Sequence, residues 1–157
     1  MDLQALTSPG LIFTDVGGSD GRSVLQELSR KIGESTSAIG GAELLERLLE
    51  REGLCSTGIG SGVAIPHCKI PGLEQTVLAV GISREAIDFG SLDGKPVRTF
   101  FVLASPEDHP AVHLKVLSTI SRWLRAEPEL ASLLNARSPD EIFELLPRAK
   151  VGTGTEG

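Results

Sequence analysis

Val77-Leu78-Ala79-Val80-Gly81-Ile82 and Val97-Arg98-Thr99-Phe100-Phe101-Val102-Leu103 are two apolar runs of strand length, with the turn dipeptide Asp93-Gly94 between them. Runs rich in β-branched and aromatic residues, bounded by such a turn signal, read as strands. From Pro110 the period changes. Val112, His113, Val116, Leu117, Ile120, Trp123 and Leu124 recur at helical spacing, which predicts a helix to about Arg125 with that stripe buried. The strands therefore need a cover, and the next segment supplies one.

Working outward, Gly17-Gly18-Ser19-Asp20-Gly21 is a turn, and Val24, Leu25, Leu28 and Ile32 follow at helical spacing. Ala42 to Glu50 predicts a second helix, with Leu44, Leu45, Leu48 and Leu49 on one side and charged groups opposite. A glycine-rich segment then leads into the short apolar run Val63-Ala64-Ile65. At the other end, Ser138-Pro139-Asp140-Glu141 offers an N-cap serine, a proline at the first helical position and a reciprocal acid, the opening of a last helix. Helices at both ends and strands between them predict a layered α/β domain, a mixed β-sheet covered by helices, over residues 1–150. Val151 to Gly157 reads as a disordered tail.

Composition narrows the function classes. Apolar residues make up 40% and charged residues 23%, as in an ordinary globular protein. A net charge of −6 argues against sequence-independent nucleic-acid binding, which needs a dense cationic face, and against a basic membrane anchor. Met1-Asp2-Leu3-Gln4 lacks the basic start of a signal peptide, and Gly53 to Cys68 is too interrupted by glycine and proline to span a bilayer. The expectation is a cytoplasmic protein without membrane insertion, in which Cys55 and Cys68 are reduced thiols.

The chain has three histidines, His67, His109 and His113. His67 follows Val63-Ala64-Ile65-Pro66, so its imidazole stands at a strand end in a constrained backbone. Neutral imidazole is a nucleophile able to take and release a phosphoryl group. Arg51 and Lys69 are candidate counter-charges, and Ser56, Thr57 and the glycine amides are candidate hydrogen-bond donors around a phosphate. On residue types alone, a solvated loop histidine is the default. His113 stands in the first turn of the predicted helix, where amides and dipole favour an anion, so it suits support of a phosphate held elsewhere. A core histidine bonded to a carbonyl is its plainer alternative.

Other chemistries fit less well. The glycines of 58–62 lack the third glycine of GxGxxG and the Gly-Lys-Ser/Thr of a phosphate loop, and they precede a strand. They more simply permit unusual backbone angles and a close approach to the histidine. His109 and His113, at i and i+4, invite a metal with Glu107, Asp108 or Cys68, but Pro110 puts His109 before the helix and there is no HExxH. No Ser-His-Asp arrangement is recognisable.

Thr57-Gly58-Ile59-Gly60-Ser61-Gly62-Val63-Ala64-Ile65-Pro66-His67 resembles the motif of the type-2 (fructose/mannitol-like) enzyme IIA domains of the bacterial phosphotransferase system, closest to the nitrogen-regulatory (PtsN-like) branch. Val112-His113-Leu114-Lys115-Val116-Leu117-Ser118 resembles the family's second histidine motif, and the likeness runs from about Leu11 to Leu146. The resemblance implies an αβα sandwich and a phosphohistidine at His67 on Nε2, with His113 and Arg51 as the supporting histidine and arginine. It implies phosphorylated HPr, or its nitrogen-branch relative, as donor, and no cofactor or metal. Cys68 stands where many members have glycine.

Three readings follow. The first is a regulator whose phosphorylation state controls binding to target proteins, favoured by the lack of B or C transport segments. The second is a sugar-specific carrier that passes phosphate to a cysteine of a IIB domain. The third is a binding module whose histidines are structural or metal-bound and never phosphorylated.

Overall fold

The computed structural model describes residues 2–127 and 129–148, so the tail assigned to 151–157 lies outside the described residues. Two short 3-10 turns, Leu3–Leu6 and Pro9–Leu11, lead into β1 (Ile12–Val16), α1 (Gly21–Ser35) and α2 (Gly41–Glu52). Then come β2 (Gly58–Gly60), β3 (Val63–Ala64), β4 (His67–Ile70), β5 (Val77–Ile87) and β6 (Val97–Pro106). Helices α3 (Pro110–Ala126), α4 (Leu130–Asn135) and α5 (Pro139–Leu145) complete the described chain.

The two long apolar runs pair antiparallel as β5 and β6, from Val77 opposite Ala104 to Ile87 opposite Val97, with an irregularity after Ile82. The strand order is β1-β5-β6-β3-β2, and β4 pairs with β6 beyond β3. β1 joins β5 parallel, while β3 and β4 both join β6 parallel, so the sheet is mixed as expected. β6 is buried at every position from Thr99 to Pro106, the mark of a strand covered on both faces.

Alternation along β6 divides the core in two. Phe100, Val102 and Ala104 face Leu25, Leu28, Leu44 and Leu48 of α1 and α2. Phe101 and Leu103 face Val116, Ile120, Leu130, Leu134 and Ile142 of α3, α4 and α5. The expected helices form where the spacing put them, and α5 has its serine cap, first-position proline and reciprocal Glu141. Val112 departs from the predicted buried stripe and is 40% exposed. A helical period shows which residues share a face, not how far the layer beneath it reaches.

Four elements did not stand out in the sequence, β1, β2, β4 and α4. β1 is a short edge strand whose Thr14 and Asp15 are exposed, and β4 alternates over only four residues. The glycine-rich run also differs from expectation. Gly60, Ser61 and Gly62 all take positive φ, and Asp93 accepts from the Ser61 amide at 2.9 Å. The close approach there is to the 91–93 turn rather than to His67.

α1 and α2 meet backbone to backbone. A Cβ on Gly33 would stand 2.8 Å from the Gly41 nitrogen and 2.9 Å from its Cα. A Gly33→Ala substitution gains helix propensity worth about 1 kcal/mol but forces the two backbones apart. We expect overpacking to win, with a net loss of about 1–3 kcal/mol. A urea midpoint equal to or above that of wild type would refute this.

Candidate functional site

Helix α2 packs on β4, and α3 covers the face of β6 that carries Leu103 and Ser105. Parallel pairing places His67 beside Leu103 and Lys69 beside Ser105. The result is a cleft of about 390 Å³ bordered by Arg47 and Arg51 of α2, His67 and Lys69 of β4, and His113 of α3. The His67 and His113 rings stand 5.3 Å apart between centroids, inclined at 57°. Two residues distant in sequence and read separately as candidates thus share one site.

His67 is pinned from the backbone. The Ile65 amide donates to the Thr57 carbonyl at 3.0 Å, and the Leu103 amide donates to the Pro66 carbonyl at 2.9 Å. The Ile65 carbonyl stands 2.7 Å from Nδ1 of His67. A carbonyl can only accept, so Nδ1 carries the proton and Nε2 keeps the lone pair. Burial lowers the His67 pKa below its ordinary value, and the Arg51 and Lys69 charges push the same way, against the opposing pull of the Ile65 bond. At neutral pH the ring is therefore uncharged, with a lone pair on Nε2.

His113 is buried, with Nδ1 2.8 Å from the Ser105 hydroxyl. Burial first, then the proximity of His67, Lys69 and Arg51, pushes its pKa down to about 4. Below pH 6.5 the unfolded chain binds a proton that the folded ring refuses. Stability should therefore be full above that pH and fall as pH drops toward 4, by at most about 3 kcal/mol. Urea midpoints at pH 7.5 and 5 test this. Wild type should lose more than His113→Gln, and equal losses would assign the change to other groups.

Arg51 donates to the Cys55 carbonyl at 2.9 Å, and the rest of its fork has no protein acceptor among the described residues. Lys69 is exposed at the cleft edge. Ser56 and Thr57 do not border the cleft. The Ser56 hydroxyl donates to the Phe89 carbonyl, and Thr57 donates through both its amide and its hydroxyl to the Glu52 carboxylate, at 2.7 and 2.8 Å. These bonds tie the loop after α2 in place and so fix the end of the helix that carries Arg51.

His109 is the N-cap of α3, ahead of the helix as Pro110 implied, and its ring lies 3.3 Å from Asp108. Among the described residues no group of three or more His, Cys, Asp or Glu is arranged to hold a metal. Cys55 and Cys68 are free thiols. Burial pushes the Cys68 thiol up to about 12, so beside the site it behaves as a small apolar group. Arg47 was not singled out from the sequence, although it lies one turn before Arg51 on the same helix face.

Residues 5–149 match the family described as "Phosphoenolpyruvate-dependent sugar phosphotransferase system, EIIA 2". A nitrogen regulatory protein of Bradyrhizobium diazoefficiens is 38% identical over 146 residues, covering 93% of this chain and 95% of that one. The fructose-specific EIIABC component of Bacillus subtilis is 31% identical over 146 residues, which span 93% of this chain and 23% of that protein. The crystal structure of nitrogen regulatory protein IIA-Ntr from Neisseria meningitidis superposes with a TM-score of 0.83 at 32% identity, covering 92% of this chain and 99% of that one. With its mixed sheet between two helical layers and its sequence match over nearly all of its length, the chain belongs to the EIIA type-2 family of the phosphoenolpyruvate-dependent sugar phosphotransferase system.

Proposed function

We propose that His67 accepts a phosphoryl group on Nε2 from phosphorylated HPr or its nitrogen-branch relative, and that the protein acts as a phosphorylation-dependent regulator in the cytoplasm. The observation that carries this reading is the bond between Nδ1 of His67 and the Ile65 carbonyl, which leaves the Nε2 lone pair in a cleft bordered by Arg51, Lys69 and His113. Nε2 attacks phosphorus in line, and the P–N bond of the donor phosphohistidine breaks with its electron pair returning to the donor ring. His67 keeps its proton on Nδ1 throughout, so no general base is needed. Arg51 and His113 hold the phosphoryl oxygens, and positioning and charge supply most of the rate.

The regulatory reading has a physical basis at the cleft rim. Leu54 and Leu114 are 81% and 66% exposed and border the same cleft as His67. Phosphate adds nearly two negative charges at neutral pH, enough to change which partners that apolar rim accepts. The overall charge of −6 does not suit nucleic acid. Among the described residues no helix is long and apolar enough to cross a membrane.

The likeness to the fructose-specific EIIABC component favours a second reading, a carrier that passes phosphate to a IIB cysteine. Incubation with phosphoenolpyruvate, enzyme I and HPr, followed by intact mass, tests both. One acid-labile phosphate retained in the presence of an isolated IIB domain supports the regulator. Rapid transfer to IIB supports the carrier. No phosphate, from donors of the same organism that load another IIA, would sink both and leave a non-phosphorylated binding module.

A further inference from the structure

Two imidazoles face one another in the cleft, and their Nδ1 atoms have different kinds of partner. His67 meets a carbonyl, which can only accept. His113 meets the hydroxyl of Ser105, which can do either. Ser105 is fully buried at the end of β6, on the face that α3 covers, and its hydroxyl has no other partner among the described residues. If Nδ1 of His113 carried the proton, the hydroxyl would accept it and its own hydrogen would be left buried without an acceptor. That arrangement leaves the hydroxyl hydrogen desolvated with nothing in return, and so is disfavoured. With the proton on Nε2, the hydroxyl donates to the Nδ1 lone pair and both groups are satisfied.

We propose that Ser105 is a positioning residue whose buried hydroxyl donates to Nδ1 of His113, holding that ring with its proton on Nε2. The two rings then have opposite tautomers. His67 presents a lone pair at Nε2, and His113 presents a donor. This inference rests on the reading of His67 as phosphoryl acceptor for its function, but the tautomers themselves exist in the unphosphorylated protein. A His113 ring with the proton on Nδ1 would offer the phosphoryl oxygens a second lone pair and repel them. Sequence alone offers no signal for Ser105, because the serine is an unremarkable polar break near the end of an apolar strand.

The test combines imidazole nitrogen NMR with transfer kinetics. In unphosphorylated wild type we expect Nε2 of His113 to be protonated and Nδ1 to have the shift of a hydrogen-bonded acceptor, with the reverse assignment for His67. Ser105→Thr and Ser105→Val have the same shape and differ in the hydroxyl, so any shared packing strain cancels in their comparison. The threonine protein should keep the wild-type His113 signature. The valine protein should lose the acceptor shift at Nδ1 and transfer phosphate about fivefold more slowly than the threonine protein, the loss of one ordinary hydrogen bond. A wild-type His113 protonated on Nδ1 overturns the inference without any variant. So does an identical imidazole spectrum and rate in the two variants. Failure of wild type to accept phosphate would instead strike the reading of His67, and the tautomer measurement would still decide the role of Ser105.

Discussion

A His67→Asn protein will hold no acid-labile phosphate after incubation with a donor system that loads wild type to one per chain. The substitution removes the proposed nucleophile and little else. The asparagine amide nitrogen has no basic lone pair, so it cannot attack phosphorus, yet it can still donate to the Ile65 carbonyl that now anchors Nδ1 of His67. His67 opens β4 through backbone pairing with β6, which the change leaves intact. Stability should therefore move by no more than about 1 kcal/mol, and loss of phosphate cannot be blamed on unfolding. Intact mass and a urea midpoint on the same sample make the measurement. Phosphate retained on the variant would move the acceptor to another residue, with His113 the first to examine.

Arg51→Ala should slow phosphoryl transfer on the order of 100-fold, the usual cost of deleting one charge-stabilising group from a transition state. The guanidinium sits at the C-terminal end of α2, tied to the Cys55 carbonyl by its one hydrogen bond among the described residues. Arg51→Lys keeps the charge but loses the planar fork that can grip two phosphoryl oxygens, so its rate should lie nearer alanine than wild type. Single-turnover transfer from phosphorylated HPr, with fold monitored separately, is the relevant measurement. A wild-type rate in Arg51→Ala would pass the role to Arg47 or Lys69, the other cations of the cleft.

The regular elements were legible where a period ran long enough to be counted. α1, α2 and α3 each carry four or more apolar residues at helical spacing, and β5 and β6 are apolar for most of their lengths because both faces of β6 are covered. β1 and β4 were not, for a related reason. Four or five residues at the edge of a pattern carry too little alternation to separate a strand from a loop, and β4 owes its form to pairing with Leu103 through Pro106. The glycines of 58–62 were visible as a special backbone, but the turn they pack against lies some thirty residues later. No local rule connects the two.

The same division applies to the site. Chemical character is local, so His67, His113, Arg51 and Lys69 were all candidates from residue type, motif and position in predicted elements. What each of them meets is not local. The 5.3 Å approach of the two imidazoles requires β4 to lie parallel beside β6 while α3 folds back across the same face. Ser56 and Thr57 looked equally able to reach a phosphate until packing committed their hydroxyls to Phe89 and Glu52. The amino-acid sequence by itself determined the layered α/β architecture and which side chains have the chemistry to carry a phosphate. The tertiary structure alone decided what each histidine nitrogen meets, and with it the proton position at His67 and the one proposed for His113. The partners are a single carbonyl and a single buried hydroxyl within hydrogen-bond reach, and only the folded chain brings the Ser105 hydroxyl to His113.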